Sequence, residues 1–122
     1  MSKKLIFPYG FPQRGEIYLV DFNRRKGREI KKIRPALVVS NNVQNEHDIF
    51  LTMAPLTGDE MEIIRPFEIA ISGSGLDKPS KILLNQIHSI DKAVRLREYV
   101  GQVEDKVILA VNKALKLVLT LE

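Results

Sequence analysis

The eighteen residues Glu104–Leu121 contain neither glycine nor proline, in a chain of 122 residues that has seven of the first and six of the second. Val107, Ile108, Val111, Ala114, Leu115 and Val118 recur in this segment at helical spacing. Glu104 and Asp105 lie in its first turn and Lys113 and Lys116 in later turns, as a helix dipole favours. A helix is therefore predicted over 104–121. Leu109, Leu117 and Leu119 widen its apolar stripe beyond one face. Such a helix either buries a second side against another subunit or lies deep in its own fold.

The rest reads as short strands punctuated by turns. Glu16–Phe22, Pro35–Ser40, Ile49–Leu56, Phe67–Ile71, Lys81–Ile90 and Arg97–Val103 are rich in β-branched, aromatic or alternating apolar residues. Val43–Asp48 reads as a connector, and Asp91–Arg95 as a connector or helical turn. Residues 1–13 read as an extended arm before a single domain expected over 14–122. Strands followed by one helix predict a mainly β fold, a small curled sheet or partly open barrel. No apolar run is long enough to span a membrane, and Phe7–Pro12 interrupts any secretory leader. Cysteine is absent, which removes disulfides, Cys–Zn sites and thiol chemistry and makes a reducing cytoplasm the expected compartment.

Charge is distributed unevenly. Between Arg24 and Arg34, seven basic residues stand against the single acid Glu29, although the whole chain carries only +4. The remaining residues are slightly acidic. One focused basic loop suits either a polyanionic partner or plain solvation.

Catalytic groups are few. Only His47 and His88 have an ordinary pKa near neutrality. No phosphate-binding glycine loop, HExxH or acidic metal cluster is present, so no cofactor or metal is expected. RNA cleavage suits such a set of residues because the substrate supplies its own nucleophile, the 2′-OH. The protein need only help deprotonate it, stabilise the phosphorane and assist the leaving 5′ oxygen.

Several segments carry a resemblance. Arg14–Phe22 (RGEIYLVDF), Gly27-Arg28-Glu29, Arg34–Asn41 (RPALVVSN), Ala54–Thr57 (APLT), Gly75–Ser80 (GLDKPS) and Leu83–Asp91 (LLNQIHSID) occur in order and in register. Together they resemble the MazF/PemK/Kid family of toxins over roughly residues 14–121. The resemblance implies a small SH3-like, partly open barrel with a C-terminal helix, assembled as a homodimer. It implies a metal-independent, sequence-specific endoribonuclease that cuts single-stranded mRNA, and a cognate antitoxin that covers the site. It maps the catalytic residues onto Arg34, Thr57 and Glu29. Arg34 would grip a phosphate with its fixed fork, Thr57 would donate a hydroxyl, and Glu29 would take the 2′-OH proton. Arg28, Lys31, Lys32, Asn85 and His88 are the candidate substrate-binding residues. Each key residue also has a structural role open to it: Arg34 bracing a loop, Thr57 capping a turn, Glu29 neutralising lysines.

Three departures bear on the chemistry. The family's EQGGxRP loop reads Glu29-Ile30-Lys31-Lys32-Ile33-Arg34-Pro35, a change expected to stiffen it somewhat and raise phosphate affinity. The family's acid before glutamine is Asn85, which cannot serve as a base. The arginine that follows is His88, and a regular strand would send Asn85 and His88 to opposite faces unless a bulge intervened. Either Glu29 and His88 share the acid–base work, or cleavage is slow. A non-catalytic gyrase-poison-like toxin and an RNA-binding member without cleavage stay open as alternatives.

Overall fold

The computed structural model describes residues 7–22 and 33–122. The strands are β1 (Glu16–Asp21), β2 (Ile33–Val38), β3 (Phe50–Thr57), β4 (Glu68–Ile71), β5 (Ser80–Leu83), β6 (His88–Asp91) and β7 (Leu96–Gln102). The helices are α1 (Asn42–His47), α2 (Lys92–Arg95) and α3 (Asp105–Leu119). The strands form one antiparallel sheet in the order β4-β5-β3-β2-β1-β7, with β6 on β3. Its two ends do not pair, so the sheet is curled and open, with the C-terminal helix against it.

Strand alternation divides the core into two layers. Ile17, Leu37, Val39, Ala54, Leu56, Ile82 and Leu84 face α3, which contributes Val111 and Ala114. Tyr18, Val20, Ala36, Val38, Leu51, Met53 and Leu96 point the other way, where the Phe7 ring packs edge-on against Tyr18 at 5.9 Å. The apolar stripe expected of α3 is the face that packs, with Val107, Ile108, Leu115 and Val118 flanking its two buried residues. Leu109, Leu117 and Leu119 remain 68%, 55% and 50% exposed, so the helix is not tucked deeply into its own fold.

The Arg14-Gly15 pair fastens this helix to the sheet. Gly15 is buried with φ +95°, and a Cβ there would lie 3.1 Å from Ile108 Cδ1, so glycine lets α3 approach. Arg14 donates through Nε to Val39 O at 2.7 Å and through Nη2 to Asn112 Oδ1 at 2.8 Å.

Two sequence expectations are corrected. Val43–Asp48 is helical rather than a plain connector: Asn41 caps it, its side chain accepting from Gln44 N–H at 2.9 Å. Lys81–Ile90 is not one strand. β5 and β6 pair with successive parts of the same β3 edge (Leu56↔Ile82, then Met53↔His88), and their registers differ by three residues. The 3-10 turn Leu84–Gln86 takes up those residues and buries Leu84 beneath α3. Alternation is reset there, so the expected opposition of Asn85 and His88 does not carry through.

Candidate active site

Arg34 and Thr57 are 23 residues apart in sequence, and strand pairing brings them together. β2 and β3 pair through Val38↔Met53, Leu37↔Ala54 and Ala36↔Pro55. Arg34 on β2 and Thr57 on β3 lie just past the Ala36↔Pro55 end of that pairing, at the same end of the two strands. Both line one cleft of about 550 Å³. Leu19, Pro35 and Leu56 supply apolar lining, Gly75–Lys78 and Ser80 form one wall, and Glu98, Tyr99 and Val100 of β7 form another.

Glycines hold the loop wall close to β7. A Cβ on Gly75 would lie 2.1 Å from Val100 O, and one on Gly101 would lie 2.0 Å from Ser74 O. Any side chain at either position would force the two backbones apart.

Thr57 Oγ1 accepts the Asp59 backbone N–H at 3.1 Å. The turn-capping role considered for Thr57 is therefore present, and it is compatible with chemistry. The cap occupies an oxygen lone pair and orients the hydroxyl, while the O–H proton stays available to donate.

The charged groups lining the cleft are Arg34 and Lys78 against Asp59, Asp77 and Glu98. The described part of the cleft is thus not a basic surface. Tyr99 is held above the ordinary phenol range by burial, and the nearby Glu16 and Tyr9 add to the shift. Burial raises Tyr18 strongly, reinforced by its hydrogen bond to Glu16 Oε1 at 2.8 Å. Both phenols therefore stay protonated near neutrality and are unsuited to act as bases.

Glu29, Arg28, Lys31 and Lys32 lie outside the described residues. Asn85 and His88 are exposed but do not line the cleft. His88 stands opposite Met53, four residues before Thr57 and so about 13 Å along the strand, and its ring lies 5.5 Å from that of Phe22. His47 is on exposed α1, 3.5 Å from Glu46. A larger groove of about 800 Å³, lined by Phe7, Phe11, Pro12 and Leu96 among others, contains neither Arg34 nor Thr57.

Sequence reasoning missed Asp59, Lys78, Glu98 and Tyr99 as cleft residues. Asp77-Lys78 had a signal, since it lies in the glycine-rich segment that carries the resemblance. Glu98 and Tyr99 had none, because only the bulged β1–β7 pairing (Leu19↔Glu98, Tyr18↔Tyr99) brings them alongside β2.

Residues 13–119 match the family described as PemK-like, MazF-like toxin of type II toxin–antitoxin system. Endoribonuclease MazF of Staphylococcus saprophyticus is 36% identical over 111 residues, covering 89% of this chain and 92% of that protein. An endoribonuclease solved in complex with its cognate antitoxin, from a mycobacterial species, has a TM-score of 0.76 at 27% identity, over 91% of this chain and 97% of that one. A MazE–MazF structure from Deinococcus radiodurans shares the fold, with a TM-score of 0.78 at 24% identity over 91% and 97% of the two chains. The match spans every strand of the sheet, both cleft residues Arg34 and Thr57, and α3, and the chain belongs to the PemK-like, MazF-like toxins of type II toxin–antitoxin systems.

Proposed function

We propose that this chain is a sequence-specific endoribonuclease that cleaves single-stranded mRNA without a metal ion. The observation that carries the reading is the cross-strand placement of Arg34 and Thr57 in one cleft, with the threonine hydroxyl oriented by Asp59 N–H. The 2′-oxygen attacks the adjacent phosphorus and the bond from phosphorus to the 5′ oxygen breaks, leaving a 2′,3′-cyclic phosphate and a 5′-OH. Arg34 and Thr57 hold the non-bridging oxygens as negative charge builds on them. Glu29 takes the 2′-OH proton, and water protonates the departing 5′ oxygen. Arg28, Lys31 and Lys32 steer the phosphate backbone into the cleft. Asn85, within the 3-10 turn, and His88, just past it, contact RNA beyond the scissile bond.

The same reading makes residues 14–122 the toxin domain and residues 1–13 an arm. It makes the chain a cytoplasmic homodimer through the exposed leucines of α3, held in check by a cognate antitoxin. Among the described residues, no helix is long and apolar enough to cross a membrane.

The test is incubation of the purified chain with a long single-stranded RNA in EDTA, beside Arg34→Ala, Thr57→Val and Thr57→Ser, with the ends mapped. Discrete cuts bearing cyclic phosphate and 5′-OH ends are expected. Arg34→Ala and Thr57→Val should lose about 10²–10³-fold in rate, as when a transition-state donor is removed, and Thr57→Ser should keep most of it. Intact RNA with the unsubstituted chain would refute the reading and return the non-catalytic alternatives.

A further inference from the structure

We propose that Lys78 is a second cation of the cleavage site, laid across the Thr57–Gly58 turn so that its ammonium meets the phosphate gripped by Arg34 and Thr57. This rests on the ribonuclease reading above.

The side chain of Lys78 occupies the space that a side chain at residue 58 would need. A Cβ on Gly58 would lie 2.7 Å from Lys78 Cε, 3.2 Å from Nζ and 3.4 Å from Cδ. The lysine stem therefore runs over the bare glycine, and the ammonium ends beside the residue adjoining Thr57. Its backbone is anchored on both sides. Ser80 Oγ donates to Lys78 O at 3.1 Å, Leu76 N–H donates to Gly73 O at 2.9 Å, and Gly75 is pressed against Val100 O.

The ammonium has no ion-pair partner among the described residues, although Asp59 and Asp77 line the same cleft. A cation left unpaired by the described carboxylates beside it is available to an incoming anion. Lys78 and Arg34 are also the only two cations among the described lining residues, where acids outnumber them. A phosphodiester bound there passes from one negative charge towards two as the phosphorane forms, so a second point charge beside Thr57 acts most strongly in the transition state. Lys78 makes and breaks no bond and keeps its proton.

The experiment is single-turnover cleavage of an RNA oligonucleotide that the unsubstituted chain cuts, by the full chain carrying Lys78→Met, Lys78→Arg, Lys78→Ala, Gly58→Ala, or Gly58→Ala with Lys78→Ala. Folding of each variant is checked by thermal melting. Lys78→Met keeps the apolar stem and should lower the rate at saturating RNA about 100-fold, with Lys78→Arg recovering much of it. Gly58→Ala displaces the stem and should cost about 10-fold, an effect that disappears in the Lys78→Ala background because nothing remains to displace. A Lys78→Met variant with an unchanged rate, or one weakened only in KM, would overturn the assignment and leave the Arg34–Thr57 site standing. So would a Gly58→Ala effect that persists in full in the double variant. If the unsubstituted chain leaves all RNA intact, the ribonuclease reading fails and the Lys78 assignment fails with it.

Discussion

Lys81→Met should be among the most destabilising single changes in the sheet. Lys81 is 2% exposed on β5, and its three ammonium hydrogens have three oxygen partners. These are Glu60 O at 3.0 Å, Ile63 O at 2.9 Å and Glu68 Oε1 at 3.1 Å. Among the described residues, Glu68, buried across the β4–β5 ladder, keeps only the Arg65 backbone N–H at 3.0 Å and the Arg65 guanidinium at 3.5 Å when the ammonium goes. Removing one partner of a buried pair costs about 3–5 kcal/mol. The two carbonyls belong to an exposed loop that water can reach, so the lower end, about 3 kcal/mol, is the expected loss. For a chain of this size that corresponds to a fall in Tm of roughly 10–15 °C. Urea unfolding at fixed protein concentration, which holds any self-association constant, measures it. Lys81→Met combined with Glu68→Leu should recover most of the loss, since the stranded carboxylate goes too. A loss below about 1 kcal/mol for Lys81→Met, or strict additivity in the double variant, would refute the reasoning.

The same pair sets a pH dependence. Burial alone would raise the Glu68 carboxyl, but the Arg65 N–H, the Lys81 ammonium and the Arg65 charge overcome it and hold the group below its ordinary value of 4.5. A carboxyl lowered by folding stabilises the chain above that ordinary value and loses the contribution as pH falls through the lower folded value. The stability gap between the unsubstituted chain and Glu68→Gln should therefore be flat from neutrality to about pH 5.5 and close on further acidification, as read by urea midpoints. Gly101→Ala should force β7 away from Ser74 O, costing about 2–3 kcal/mol and lowering RNA cleavage with it; unchanged melting would sink the close-packing argument. Leu109→Lys with Leu117→Lys should shift a dimer to monomer in sedimentation, and an unaltered dimer would place the interface elsewhere.

Much of the fold was legible in local pattern. The stripe from Val107 to Val118 predicted the packed face of α3, and runs such as Glu16–Phe22 and Ile49–Leu56 predicted strands within two residues of their ends. Those signals are periodicities, and a periodicity depends only on neighbours along the chain. Arg34 and Thr57 were also marked in advance, through the family pattern they sit in. Their proximity was not: it comes from the antiparallel pairing of β2 with β3, two segments separated in sequence whose pairing no local signal encodes. Lys81–Ile90 looked continuous because its composition is continuous. Two halves of one β3 edge had to be served three residues out of register before a turn at Leu84–Gln86 was required. Lys78 over Gly58 and Glu98 beside Leu19 are of the same kind, contacts between segments far apart in sequence that exist only once the sheet has curled. Periodicity and family pattern thus marked the elements and two candidate catalytic residues from the chain alone. Long-range strand pairing placed those two in one cleft and added the charged groups around them, because hydrogen bonding between distant strands decides which side chains share a cleft.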